Sequence, residues 1–166
     1  MTDIMEDIDL LDEEDTQKGK YLIFTIGNEE YGIEIKHVIE IIGIQTVTPV
    51  PELPEYVKGV INLRGKIIPV IDVRRRFKKE DREYDDRTCI IVVEIRDLSI
   101  GLIIDRVSEV IKISDENISP PPQISRGFQH KYIQGIGKAD NGVKLLLDCD
   151  RLLNDEELES ISDNME

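Results

Sequence analysis

The chain has no tryptophan, and aromatic residues make up only 5% of its 166 positions. Proteins that hold single-stranded nucleic acid stack its bases on exposed rings, so this class is disfavoured. Cysteine and histidine are equally scarce, with two of each. No CxxC pair is present, and neither His37 nor His130 lies near a nucleophile motif, so the sequence supports neither a metal centre nor a catalytic base. Cys89 and Cys149 lie in apolar, strand-like segments, which predicts two buried thiols.

The sequence has few basic residues compared with acidic ones. Lys and Arg number 21 against 35 Asp and Glu, which gives a formal net charge of −14 at pH 7. A nucleic-acid-binding protein needs a basic face to displace counterions from phosphates, and binding to anionic lipid needs one too. Both classes of partner are therefore disfavoured.

Long apolar runs are missing as well. No run approaches the about 18 residues of a transmembrane helix. The first residues, MTDIMEDIDLLDEEDTQK, contain no basic stretch of the kind that opens a secretory signal. We predict that residues 1–18 form an acidic flexible arm and that the protein is cytoplasmic.

Motifs that carry chemistry are also absent. The sequence has neither a GxxxxGKS/T loop nor a strand–GxGxxG–helix unit. Asp72 and Asp148 precede short helical stretches, so each is predicted to be a helix N-cap. Arg74–Arg76 run into the mixed-charge segment 78–87, which predicts a solvated face. We therefore predict no catalytic residue, no metal and no cofactor.

The chain is rich in Ile and Val, within a hydrophobic fraction of 40%. These β-branched residues favour strands, and turn residues separate them into short runs. A helix is predicted after Asp148, over residues 149–161. The predicted strands are Tyr21–Ile26, Tyr31–Ile35, His37–Ile44, the two arms of a hairpin within Gly59–Asp72, Cys89–Ile95, Ser99–Asp105, Val107–Ile113, Tyr132–Gly137 and Val143–Leu147.

The two halves of the chain repeat one pattern. The matching stretches are YGIEIKHVIEII (31–42) with IGLIIDRVSEVI (100–111), and YVKGVINLRGKIIPVIDVRRR (56–76) with YIQGIGKADNGVKLLLDCDRL (132–152). Gly32 aligns with Gly101, and Gly59 with Gly135. Such a duplication of a small β unit predicts two five-stranded, SH3-like β-barrels around a shared hydrophobic core, with short helices including a C-terminal one. The pattern leaves open whether the units exchange segments.

The hairpin tip in GVINLRGKIIPVID carries Leu63 and Arg64, where ordinary turn residues would suffice. The fold needs only the turn, so we interpret these two side chains as serving something outside the fold. Four apolar residues lie farther upstream, and they either form an exposed protein interface or fill the core between the barrels. They are Ile42, Ile44, Val47 and Val50.

Four further stretches are distinctive: FTIGNEEYGIEIKHVIEI, PEYVKGVINLRGKIIPVIDVRRRF, VSEVIKIS and YIQGIG. In these stretches the chain resembles the CheW family of bacterial chemotaxis adaptors, and the resemblance covers residues 19–155. It implies two five-stranded barrels, about 19–80 and 81–155, followed by a helix end or tail at 156–166. It also implies a non-catalytic scaffold that bridges chemoreceptor cytoplasmic tips and the CheA histidine kinase at the inner face of the membrane.

The resemblance also implies interaction residues. Val38, Glu40 and Arg64 fall on receptor-contacting positions, and Leu63 is added as the neighbour of Arg64 at the tip. The region around Val47 and Thr48, with Ile44, falls on the face that meets the regulatory domain of the kinase. Two other functions stay open from the residues alone: an anion- or nucleotide-handling enzyme that uses Arg64, and a nucleic-acid-binding small barrel.

Overall fold

Two β-sheets form the body of the protein, and the computed structural model describes residues 18–121, 131–139 and 142–165, with side chains to residue 161. The strands are β1 (Lys20–Ile26), β2 (Glu29–Glu34), β3 (Val38–Gly43), β4 (Val57–Leu63), β5 (Lys66–Asp72), β6 (Cys89–Ile95), β7 (Leu98–Ile104), β8 (Arg106–Lys112), β9 (Ile118–Ser119), β10 (Ile133–Ala139) and β11 (Gly142–Leu147). The first sheet has the order β8-β1-β2-β11-β10-β9, and the second has the order β3-β6-β7-β5-β4. We call the units that they form the first and the second barrel.

Side chains along the central strands alternate between two apolar clusters, as a period of two residues requires. In β6, Ile91 and Val93 belong to the cluster between the sheets, whereas Ile90 and Val92 belong to the cluster inside the second barrel. A third cluster, around Ile23, fills the first barrel. Because both faces of such strands are buried, their sequences read as nearly continuous apolar runs.

The core between the sheets is the largest of the three clusters. Four aromatic rings cross it in succession, with centroids 5.8, 5.4 and 5.5 Å apart. They belong to Phe24, Tyr31, Phe77 and Tyr132. Two small β-barrel units around a shared hydrophobic core are the predicted architecture, and this prediction is confirmed. The first sheet gains a sixth, two-residue strand that the pattern does not predict.

The strands are exchanged between the sequence halves. β1 and β2 pair with strands of the second half, and β6 and β7 join β3, β4 and β5 in the second sheet. Parallel pairing joins β2 to β11 and β5 to β7 at equivalent places. At these places a Cβ on Gly32 would lie 2.9 Å from Leu146, and one on Gly101 would lie 2.8 Å from Ile90. The repeat therefore reflects one topology used twice, with both halves contributing to each sheet.

Both predicted N-caps are confirmed. The Asp72 carboxylate accepts a hydrogen bond of 3.0 Å from the Arg74 amide at the start of α1 (Val73–Arg76). The Asp148 carboxylate accepts one of 3.0 Å from the Asp150 amide at the start of α2 (Cys149–Leu152). A side-chain oxygen at this position satisfies a backbone N–H that has no partner within the helix.

The single C-terminal helix predicted over residues 149–161 is wrong, because the helix breaks at its middle. Leu153 is extended, with φ −135°, and a new helix, α3 (Asp155–Met165), follows. Asn154 and Glu157 cap its start reciprocally: each backbone N–H donates to the other's side chain, at 2.9 and 2.7 Å. This capping box is a local start signal that the continuous apolar spacing conceals.

The solvated face predicted for Arg74–Arg76 is also wrong. The Arg74 side chain is only 15% exposed and donates to Asp105. The Arg76 side chain is 11% exposed and binds Glu157 at 2.8 Å. These carboxylates come from remote parts of the chain, so local charge patterning gives no sign of them. The prediction that both cysteine side chains are buried is confirmed.

Candidate interaction site

The tip of the β4–β5 hairpin has an unusual residue in a demanding conformation. Arg64 and Gly65 both have positive φ, 53° and 86°, and the Gly65 amide donates to Asn62 Oδ1 at 2.8 Å. Two consecutive residues of this kind make a tight hairpin turn in which Asn and Gly are preferred. Arginine enters the left-handed region only with strain. Its presence here points to a use for the side chain.

The Arg64 side chain pairs with Glu40 on β3. Its two terminal nitrogens donate to the two carboxylate oxygens at 2.7 and 2.9 Å. The Arg64 side chain is 71% exposed and that of Glu40 is 16% exposed. The hydrogen bonds from Arg64 hold the pKa of the Glu40 carboxyl below its usual value. Glu40 thus occupies the two-pronged face of the guanidinium and fixes the orientation of this exposed group at the hairpin tip.

Leu63 has a structural role that its position at the tip does not suggest. It is half-buried and packs on the cluster inside the second barrel, together with Ile42, Ile44 and Val47. The interpretation that the fold has no use for Leu63 is therefore wrong. The three upstream residues are neither free surface nor part of the core between the barrels. They cover the open side of the second barrel, and Val50 is partly exposed.

Thr48 closes the second barrel. Its backbone N–H and C=O both bond to Val60 of β4, at 2.8 Å each, while its side chain is exposed. Val38, predicted to contact a receptor, is buried in the core between the sheets, with 8% of its surface exposed. Of the predicted site residues, the structure joins Glu40 to Arg64 directly and places Leu63, Ile44 and Val47 on one cluster.

The structure also has a groove between the two barrels, which could not be predicted from the sequence. It has a volume of ≈ 580 Å³, and its lining includes Ile41 and Gly43 of β3, Cys89 of β6, and Arg106 and Val107 of β8. These strands belong to different sheets and meet only because the halves are exchanged. Burial raises the pKa of the Cys89 thiol to about 11, so it lines the groove as an uncharged group. The only hint in the sequence is Gly43, a strand glycine outside any turn.

Among the residues that the structure describes, no three His, Cys, Asp or Glu side chains are grouped as metal ligands. His37 is half-buried at the end of a short 3₁₀ turn, and His130 lies outside the described residues. The site consists of an oriented ion pair, a groove and a partly covered apolar face.

Comparison with known proteins gives this surface its context. A family model for the CheW-like domain matches residues 20–157. The chain belongs to the CheW family. It is similar to the chemotaxis protein CheW of Klebsiella aerogenes, with 38% identity over 91% of this chain and 90% of that protein. The CheW of Bacillus subtilis is 33% identical over 85% of this chain and 90% of that protein.

A solved CheW structure agrees with the fold. The crystal structure of the scaffolding protein CheW from Thermoanaerobacter tengcongensis matches with a TM-score of 0.77 and 37% identity, covering 84% of this chain and 94% of that one. Membership of the CheW family gives the protein an adaptor role in chemotaxis signalling. No helix in the described ranges has both the length and the apolar character needed to cross a membrane.

Proposed function

We propose that the protein bridges chemoreceptor cytoplasmic tips and the CheA histidine kinase without catalysing a reaction, and so couples receptor state to kinase activity. It would act at the receptor arrays on the inner face of the membrane. The observation that carries the proposal is the ion pair between the exposed Arg64 and Glu40, because Glu40 belongs to β3, the strand that also lines the groove between the barrels. A scaffold of this kind raises the effective concentration of its two partners and passes a conformational bias between them.

The receptor side is assigned to the groove and the adjoining hairpin tip. A groove with an apolar floor accepts the apolar face of a helix, and the cytoplasmic tip proposed as the partner is helical. Ile39 and Ile67 support this assignment, because they are 44% and 49% exposed on β3 and β5. In this proposal Arg64 and Glu40 make the polar contacts at the rim, Leu63 supports the tip, and Val38 anchors β3 from below.

The kinase side is assigned to segment 44–49. Ile44 and Val47 hold this segment onto the second barrel, and the Thr48 backbone fixes it to β4. The side chains of Gln45, Thr46 and Thr48 are left exposed. None of residues 44–49 is among the groove-lining residues, so we expect the two partners to bind at once, as bridging requires.

The test is a co-sedimentation and phosphorylation assay. Membranes or assemblies bearing the receptor cytoplasmic fragment are mixed with the kinase, with and without this protein. The proposal expects the protein in the pellet together with the kinase, and a change in kinase autophosphorylation. A protein that pellets with neither partner and leaves autophosphorylation unchanged would contradict it.

Arg64→Ala is expected to weaken receptor binding at least about tenfold, because arginine is one of the residue types enriched among binding hot spots. Thermal stability should stay unchanged, since the side chain is mostly exposed. Titration of the receptor fragment and a melting curve measure the two effects. Lys66→Ala, which removes a positive charge from the same hairpin, is the control and should bind normally. An early-melting Arg64→Ala protein that still binds would exclude the docking role.

Gly43→Phe is expected to block the groove without disturbing the fold. A Cβ on Gly43 meets no atom within 4 Å, and its backbone is not in the left-handed region. An aromatic residue is compatible with a strand and would project into the space that a receptor helix needs. Receptor affinity should fall at least tenfold while kinase binding persists, by co-sedimentation with each partner. Gly142→Phe, also without neighbours within 4 Å, is the matched control.

A further inference from the structure

Two arginines at the groove stand apart from the others. Nine arginines lie in the described residues, and seven of them form ion pairs. The two without an ion pair in this part of the chain are Arg87 and Arg106, and both line the groove. Both are exposed. In a protein of net charge −14, two free guanidinium groups in one groove indicate an acidic occupant.

The other residues of the groove lining also restrict which occupant fits. Ile41 and Val107 give the groove an apolar wall, and Asp86 is the one acidic residue in its lining. The two arginines also line a smaller adjoining pocket of ≈ 150 Å³, whose other charged residues, Arg82 and Asp105, form an ion pair with each other. The positive charge thus extends along one side of the apolar wall. An occupant that fits carries apolar side chains on one side and carboxylates beside them.

The N-terminal segment of the same chain has this composition. Residues 1–17 contain eight Asp and Glu and no Lys or Arg. Ile4, Ile8 and Leu11 are spaced four and three residues apart, so they would share one face of a helical turn. Glu6, Asp7 and Asp9 lie between them, together with Met5 and Leu10, and the other five carboxylates flank them. No other stretch of the chain combines so many acidic residues with apolar spacing of this kind.

The segment is long enough to reach the groove. The Gly19 carbonyl accepts a hydrogen bond of 2.8 Å from the Ile113 amide, just beyond the end of β8. From there, β8 leads back to Val107 and Arg106 over about 20 Å, at about 3.3 Å per residue. Seventeen residues span about 25 Å as a helix and more than twice that when extended. The segment therefore reaches Arg106 in either form.

We propose that residues 1–17 dock into the inter-barrel groove of their own chain, with Ile4, Ile8 and Leu11 on its apolar wall and carboxylates on Arg87 and Arg106. The segment then acts as a built-in competitor that a receptor helix has to displace. This competition rests on the proposed receptor role of the groove, whereas the docking does not.

Paramagnetic relaxation enhancement in the free, full-length protein tests the docking. A nitroxide is attached to Thr2→Cys; burial raises the pKa of Cys89 to about 11 and of Cys149 to about 12, so the native thiols react slowly. The amide signals of Ile41, Gly43 and Val107 should lose intensity. The double variant Arg87→Glu/Arg106→Glu should restore them, and raised salt should restore them in part.

Lys138→Glu is the matched control, a single charge reversal at an exposed position of β10, and should leave the intensity loss unchanged. Unaffected groove amides, or an intensity loss that persists in the double variant, would overturn the docking. Mixing isotope-labelled protein with a spin-labelled, unlabelled copy identifies the chain involved. Intensity loss in that mixture would overturn docking within one chain in favour of a second copy.

The outcomes also separate this inference from the proposed function. If the groove amides keep their intensity while Gly43→Phe loses receptor binding, the N-terminal segment does not dock, and the groove remains the proposed receptor site. If the groove amides lose intensity while Gly43→Phe binds the receptor normally, the segment docks in the groove but does not compete with a receptor there.

Discussion

Replacing Gly59 by alanine is expected to lower the free energy of unfolding by about 4 kcal/mol, through about 2 kcal/mol of backbone strain and about 1 kcal/mol for each of two lost hydrogen bonds. Gly59 has φ +152°, and a Cβ there would lie 2.2 Å from the Thr48 carbonyl oxygen. The obstructing atoms are backbone and cannot rotate away. Thr48 must move, and both of its bonds to Val60 break.

We expect the second barrel to open locally, at the Thr48–Val60 bridge, more readily than the whole protein unfolds. Thr48 and Val60 donate the two bridge hydrogen bonds, so their amides should exchange faster with solvent than in the parent protein. Urea unfolding measures the stability change. Gly43→Ala, in the same sheet and with open space around its Cβ, should cost nothing and is the control. A Gly59→Ala protein as stable as Gly43→Ala would show that the close approach to Thr48 is not required.

A similar but looser approach occurs in the other barrel, at the matching position of the repeat. Gly135 aligns with Gly59, and a Cβ on Gly135 would lie 3.3 Å from the Ser119 carbonyl oxygen on β9. Ser119 pairs with Ile136 there, as Thr48 pairs with Val60. These glycines are local requirements of a backbone crossing. For this reason a comparison of the halves can find them.

Local features could be predicted for the same reason. Asp72 and Asp148 act on amides two residues away, and the alternation in β6 needs only its own residues. The neighbour of each strand in a sheet could not be predicted in this way. Strand pairing of β2 with β11 joins Tyr31 to Leu145, and periodicity carries no information about which distant strand is the neighbour. The exchange of strands therefore could not be predicted.

At the candidate site, too, single residues could be predicted, but their contacts could not. Glu40 and Arg64 could be named separately from the family resemblance, but their direct pairing depends on how the barrel closes. The groove could not be found, since its walls come from strands that meet only through the exchange. The predicted solvated face of Arg74 is wrong because its partner, Asp105, follows it by 31 residues, beyond the range of local charge patterning.

Asp105 lies between β7 and β8, where the chain crosses from the second sheet to the first. Its side chain, 10% exposed, accepts hydrogen bonds from Arg74 at 2.9 and 2.6 Å, from Arg82 at 3.0 Å and from the Gly27 amide at 2.8 Å. Burial alone would raise the pKa of Asp105, but the bonds from Arg74 and Gly27 outweigh it, so the pKa is lowered. One carboxylate thus fastens α1, the linker and the β1–β2 turn together.

Asp105→Asn is expected to lower the free energy of unfolding by about 3 kcal/mol at pH 7, the lower end of the range for breaking a buried ion pair. The new amide N–H₂ would face the Arg74 donors, leaving Arg74 without a carboxylate partner and Arg82 with Asp85 alone. Because the folded pKa of Asp105 is lowered, its contribution is present above the unfolded value of about 3.9 and is lost as pH falls through the folded pKa.

The difference in stability between the parent protein and Asp105→Asn should therefore shrink steadily on acidification below about pH 4, as measured by urea unfolding at several pH values. Asp81→Asn is the matched control. Asp81 pairs with Arg75 at 3.2 Å, but its side chain is 63% exposed, so solvent screening limits the loss to well under about 1 kcal/mol. Equal losses in the two variants would mean that Asp105 does no more than a surface carboxylate. A larger loss in Asp105→Asn that also vanishes in acid would identify this ion pair as the link that holds the two barrels, and with them the walls of the groove, in place.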